Sequence, residues 1–227
     1  AAGSTSLRAP QRALEGRGFQ VRSQLPPDVQ KVLDQIADAG RVADALVANM
    51  SDEQFQWQPD AGRSWSVGQC LEHLATINAL YGGAIRRAVD EARRREWSRE
   101  GPLAPGPFGR CFITSQEPPV KRRLRAPGSV RPGSALSREE ILRRYRESHD
   151  QLRQLAADAA GIDANRATFP NPLLEFLRVK VATGLYVLPA HERRHLWQAQ
   201  RVTERAEFPK NPGTRNPGAP SATAGLC

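Results

Sequence analysis

The chain has 227 residues, of which 39% are hydrophobic and 25% charged, so a single domain can bury a core without disulfides or metal staples. Its formal net charge of +9, with basic runs at residues 93–95 and 121–123, raises the question of nucleic-acid binding. The basic residues are mostly arginines on segments that also carry Glu and Asp, and no nucleic-acid motif or aromatic stacking platform accompanies them. We therefore expect solvated charged faces and no nucleic-acid partner.

The three cysteines, Cys70, Cys111 and Cys227, form an odd and widely spaced set without a C-x-x-C motif. This pattern argues against a disulfide framework or zinc knuckle and favours a reducing cytoplasmic environment. No stretch approaches about 18 uninterrupted apolar residues, and residues 1–20 lack the apolar region of a signal peptide. We expect no membrane association.

Two amphipathic helices are predicted in the first half of the chain. The first begins after Pro26-Pro27 and has its apolar residues at three- and four-residue spacing: Val29, Leu33, Ile36, Val42, Leu46 and Met50. The second begins at Ser66, which forms an S-x-x-Q capping box with Gln69. Its apolar face contains His73, Ile77, Leu80 and Ala84, so His73 is expected to point inward.

Two further helices are predicted in the second half. The third opens at Ser137 with a capping box to Glu140 and buries Ile141, Tyr145, Leu152 and Leu155. The fourth extends from about Pro172 to Glu204 and carries Leu177, Val181, Leu188, His191, His195 and Val202 on one side. Because no alternating strand or internal repeat is evident, we predict an all-α fold, an antiparallel four-helix bundle.

The segment 97–136, between the second and third helices, differs in composition. It contains seven prolines, five glycines and seven Lys or Arg residues against two Glu, which argues against a regular helix. A connection of this length is expected to be a lid, a wrapping loop or disordered. We therefore predict a domain at 24–208 with this insert, and flexible tails at 1–23 and 209–227.

Three histidines are the strongest indication of function in the sequence. His191 and His195 are four residues apart, so on a helix their imidazoles lie one turn apart on the same face. His73 would come from a different helix. Three neutral imidazoles leave a divalent metal with an open coordination position, which is typical of catalytic metal sites.

The motifs around these histidines resemble the DinB/YfiT-like superfamily of bacterial four-helix bundles. The resemblance rests on Trp65-Ser66-Val67 followed by His73-Leu74, on His191 to Gln198, and on Ser51 to Pro59, and it covers roughly residues 25–205. It implies that His73, His191 and His195 bind a divalent metal in the bundle interior. It also implies thiol-dependent transferase or isomerase activity with a low-molecular-weight thiol cosubstrate, or metal-dependent hydrolysis, and leaves a homodimer open.

Alternative interpretations exist for each of these residues. A single buried histidine is more often a hydrogen-bonded core residue, and we assign that role to His149. Residues 191–195 also match the H-E-x-x-H signature of zinc peptidases, in which Glu192 would be the general base. The Arg193-Arg194 pair and the short remaining chain disfavour that reading, and we expect Glu192 to pair with an Arg at the surface. Contact of Glu192 with a metal-bound water remains the alternative.

Other residues near the histidines are candidates for supporting roles. Gln69 and Gln198 are expected to project towards the metal cavity, where either could hold a ligand or a water, although packing at the bundle end is an equal alternative. Cys70 is assigned to the core rather than to a nucleophile or ligand. Trp65 and Trp197 are interpreted as packing anchors. Pro189 is expected to kink the fourth helix, unless the helix begins there.

The sequence thus predicts a metalloprotein with a small-molecule substrate. Zinc or nickel suits three imidazoles best, although iron and copper also accept them. The favoured function is thiol transfer or metal-assisted hydrolysis. A non-catalytic, metal-stabilised binding or dimerisation module is the alternative from another class, and a zinc peptidase is the third.

Overall fold

The computed structural model describes residues 25–120, 125–133 and 135–210. Within these residues the chain is mostly helical, with one small two-stranded sheet. The elements are α1 (Pro27–Val47), α2 (Asp52–Gln56), α3 (Val67–Arg94), α4 (Gly106–Gln116), α5 (Arg138–Asp158), β1 (Thr168–Asn171), β2 (Leu174–Lys180) and α6 (Val181–Thr203). None of the helices in these ranges has the length and apolar character that a membrane span requires. The predicted tails lie almost entirely outside the described residues.

The four long helices are α1, α3, α5 and α6, and each of them contacts two of the others. Helix α3 packs against α5 and α6, and α1 packs against the same two helices. The predicted apolar faces account for most of the core, although Val42 and Leu80, which were expected inside, are each 39% exposed. The core therefore lies between these helices, with His73 and His195 buried in it.

The predicted helix starts are reproduced for α3 and α5. Ser66 and Gln69 form the complete capping box, in which each side chain bonds the other residue's backbone N–H. Ser137 accepts a hydrogen bond from the backbone N–H of Glu140, but the Glu140 carboxylate bonds Arg143 and Arg144 instead of closing the box. Competition from nearby guanidinium groups explains this difference.

The predicted start of the fourth helix at Pro172 is wrong, and so is the expectation of no strand. Residues 168–180 form an antiparallel hairpin, and α6 begins only at Val181. Phe169 is paired with Val179 and both are buried, whereas Phe176 is 87% exposed. A strand with so few buried side chains has no clear alternation, so its apolar residues resembled a continuation of the helix face.

Pro189 lies inside α6, which continues through it for 14 residues to Thr203. The alternative that the helix begins at this proline is therefore wrong. Because proline has no N–H, the carbonyl group of Leu185 has no intrahelical donor four residues later.

The insert 97–136 contains a regular helix, α4, contrary to the expectation from its composition. Pro107 lies in the first turn of α4, where the missing N–H costs nothing. Helix α4 packs closely on α6, because Gly109 has no side chain: a Cβ atom there would lie 2.5 Å from Oγ1 of Thr183. Part of the insert is thus a covering layer over α6.

Candidate metal centre

The structure brings His73 from α3 together with His191 and His195 from α6. Their ligand nitrogens all lie within 4.8 Å of one another, and Nε2 of His73 is 3.2 Å from Nε2 of His191. His73 is 3% exposed and His195 7%, while His191 is partly buried. Within the described ranges, no other group of His, Cys, Asp and Glu side chains has this arrangement.

Each imidazole is oriented by an oxygen atom near its Nδ1. The Nδ1 of His73 lies 2.7 Å from the backbone oxygen of Val130. The Nδ1 of His191 is 3.1 Å from Oε1 of Gln116, and that of His195 is 3.0 Å from Oε1 of Gln198. Because carbonyl oxygens only accept hydrogen bonds, each Nδ1 carries the proton and each Nε2 keeps its lone pair.

Two Nε2 lone pairs that face each other at 3.2 Å repel unless a proton or a cation lies between them. A metal with Zn–N bonds of about 2.0–2.1 Å in tetrahedral geometry has ligand nitrogens roughly 3.3 Å apart. The separation of His73 and His191 therefore fits a shared divalent ion.

The surroundings keep the three histidines neutral. Burial lowers the pKa of His73, and the bond to the Val130 carbonyl opposes this only in part. Burial, the neighbouring His73 and the charge of Arg194 lower the pKa of His191 to about 3. The pKa of His195 lies well below its ordinary value for the same reasons, with His191 adding to the effect. Neutral imidazoles are the form that binds metals.

The ring of Trp65 lies beside the histidines, whereas the thiol of Cys70 belongs to the apolar core. The ring of Trp65 lies 4.9 Å from that of His73 and 5.7 Å from that of His195, so Trp65 forms a wall of the site as well as a packing contact. Cys70 is fully buried among apolar residues, and burial raises the pKa of its thiol. Its position agrees with the core assignment. Trp197 contacts Arg201.

Of the two glutamines expected near the cavity, only Gln198 is seen to contact a histidine of the triad. The Oε1 atom of Gln69 accepts hydrogen bonds from the Ser66 backbone N–H and from Nε2 of Gln58, at 3.1 and 2.7 Å. The Gln69 carbonyl is thus engaged in capping α3 and in the contact with Gln58.

Glu192 does not pair with an Arg at the surface, so that expectation is wrong. Its side chain is fully buried and accepts hydrogen bonds from Asn78, His149 and Tyr145. The reason is helical geometry, because Glu192 lies about 100° around α6 from His191 and so faces α3 and α5. Its oxygens are not part of the group formed by the three histidines. His149 is buried, as expected.

The insert contributes groups that the sequence did not reveal. Besides Gln116 and Val130, Glu117 forms an ion pair with Arg193, and the backbone oxygen of Ser115 accepts a bond from Arg194. Nothing in the sequence spacing of these residues relates them to the histidines. The described part of the insert packs over α6 at the site, as a lid or a wrapping loop would.

A comparison with models of protein families shows to which family this chain belongs. The family model of the DinB superfamily matches residues 35–199, a range that includes all three histidines. The chain belongs to the DinB superfamily. Neither the curated proteins nor the solved structures gave a match.

Proposed function

We propose that this DinB-superfamily protein holds one divalent metal through His73, His191 and His195 and uses it to transform a small molecule. The observation that carries the proposal is the convergence of three imidazoles whose ligand nitrogens lie within 4.8 Å of one another and whose Nδ1 atoms each contact an oxygen. In this proposal α1, α3, α5 and α6 form an antiparallel four-helix bundle, and the ion lies between α3 and α6. Zinc or nickel suits the all-imidazole ligand set.

Three protein ligands leave room for a substrate atom, as in catalytic zinc sites. When bound, the metal would polarise a substrate oxygen or lower the pKa of a thiol or water. The chain's own residues would then define the pocket. Trp65 would provide an apolar wall, and the positive charge of Arg194, which acts on both His191 and His195, would favour an anionic group.

We favour thiol transfer or metal-assisted hydrolysis of a small molecule, and one experiment separates the two. Metal-loaded protein would be incubated with low-molecular-weight thiols and an electrophile, and separately with ester and amide substrates. Thiol-dependent product formation supports transfer, and thiol-independent hydrolysis supports the second reaction. In either case His73→Ala should abolish turnover. Metal-dependent stabilisation without turnover of any substrate would favour a binding or dimerisation module.

A zinc peptidase is disfavoured by the position of Glu192. A general base must reach the water at the metal, but the Glu192 carboxylate is held by donors from α3 and α5. We expect no cleavage of unfolded casein by the metal-loaded protein. Metal-dependent cleavage that Glu192→Gln abolishes would establish the peptidase reading instead.

A further inference from the structure

A buried polar cluster lies beside the histidines and joins three helices. Glu192 of α6 is its centre. One carboxylate oxygen accepts a 2.6 Å hydrogen bond from Nδ2 of Asn78 on α3, and the other accepts a 2.6 Å bond from Nε2 of His149 on α5. The hydroxyl of Tyr145, also on α5, donates a longer bond of 3.3 Å.

The orientation of Asn78 shows that its donors are committed to this cluster. Its Nδ2 also donates to Oγ of Ser148 at 3.2 Å, whereas its Oδ1 is buried without a hydrogen-bond partner. Turning the amide over would place Oδ1 against the Glu192 carboxylate, and two acceptors would then repel each other. The unsatisfied Oδ1 is thus the cost of presenting the Asn78 amide group to Glu192.

The fourth long helix, α1, contacts this polar cluster at His149. A Cβ atom on Gly40 would lie 3.2 Å from Nδ1 of His149, so the absence of a side chain there lets His149 fit between α1 and α5. Nε2 at the other side of the ring lies 2.6 Å from the Glu192 carboxylate. The ring is therefore held at both ends, by packing on one side and by Glu192 on the other.

We infer that Glu192 is a positioning residue, which sets the rotation and axial register of α6 against α3 and so fixes the separation of His191 from His73. Glu192 follows His191 directly, and Asn78 lies five residues after His73, so the hydrogen bond between them links the two helices that carry the ligands. Metal sites tolerate only a few tenths of an ångström of ligand displacement. This inference rests on the proposed metal binding.

The test compares metal affinity in Glu192→Leu, Glu192→Gln and wild type by titration with cobalt(II), followed by its visible absorption, and by competition with zinc. Glu192→Leu leaves Asn78 and His149 without their acceptor, and we expect an affinity loss of about 10-fold or more together with a changed cobalt spectrum. Glu192→Gln keeps an acceptor for Asn78 and should recover most of the affinity. Unchanged affinity and spectrum in Glu192→Leu would overturn the inference.

A control variant separates a specific loss of metal affinity from a general loss of stability. Leu155→Ala removes a buried apolar side chain of α5, 1% exposed, without touching the polar cluster. It should reduce stability but keep the wild-type affinity and spectrum, and an equal loss of affinity in Leu155→Ala would contradict positioning. Where Glu192→Leu does not fold, Asn78→Leu cuts the same link while keeping Glu192, and the same loss is expected.

Failure of the proposed metal binding would give a different result from failure of the positioning role. If wild-type protein binds neither cobalt nor zinc, the metal proposal is wrong. Crystal structures of wild type and Glu192→Leu then still test positioning, because the Nε2 atoms of His73 and His191 should lie further apart in the variant than in wild type. An unchanged distance would refute it.

Discussion

At the scale of single residues, the protonation pattern of the three imidazoles depends on three acceptors of different origin. Gln198 comes from the same helix as His195, three residues later, and its contact follows from helical spacing. Gln116 and Val130 come from the insert. All three place the proton on Nδ1, which leaves the Nε2 atoms for a ligand role.

Removing one acceptor should weaken metal binding without removing a ligand. In Gln198→Leu, Nδ1 of His195 loses its partner, and we expect metal affinity to fall by about 10–100-fold, measured by competition with a chromogenic chelator. Gln200→Leu is the matched control, because Gln200 is exposed on the same helix and lies about 140° around it from His195. Equal affinities of the two variants would show that the acceptor has no influence.

At the scale of elements, α4 connects the insert to the site. Its last residue, Gln116, bonds His191, and its position depends on close packing of α4 against α6 at Gly109. The packing of this short helix should therefore influence both stability and metal affinity.

Gly109→Val should force α4 away from Thr183 and lower the free energy of unfolding by about 1–3 kcal/mol, measured by urea denaturation. Metal affinity should fall with it, because Gln116 moves. Gly101→Val serves as the control, since a Cβ atom at Gly101 meets nothing within 4 Å. A fully stable Gly109→Val protein with normal metal affinity would mean that α4 does not support the site.

The sequence predicted the elements whose ends and faces have strong local signals. Capping residues located the starts of α3 and α5, and helical spacing brought His191 and His195 together. The hairpin was missed because only a few of its side chains are buried. The environment of Glu192 was missed because a buried carboxylate needs partners from distant segments, and local spacing does not identify them.

At the scale of the whole molecule, several arginines form ion pairs with Asp or Glu within the folded domain. Arg93 bonds Asp158, and Arg94 and Arg95 both pair with Glu91, so the run 93–95 is engaged within the protein. The second basic run, 121–123, lies outside the described residues. Ion pairs within the protein therefore account for the basic residues 93–95.

The buried histidines should make metal-free protein sensitive to acid. Because the pKa values of His73, His191 and His195 are lowered in the folded state, the unfolded chain binds more protons below its ordinary histidine pKa of about 6.5. Stability should consequently fall as the pH decreases from 7 to 5.5, by about 1 kcal/mol for each histidine that stays neutral in the folded state. Urea denaturation of chelator-treated protein measures this.

A variant with all three histidines replaced by glutamine is the control for this pH dependence. It should lose most of the slope, because glutamine does not titrate. The same slope in wild type and variant would show that other groups cause the acid sensitivity.

The most direct measurement of the central claim is the metal content of tag-free protein and of His195→Ala, with Cys111→Ser as a control for binding through the exposed thiol. We predict one divalent ion per chain in wild type and in Cys111→Ser. His195→Ala should contain none, with its far-ultraviolet circular dichroism largely unchanged, because the apolar helix faces hold the fold. Wild-type metal content in His195→Ala would contradict the three-histidine site.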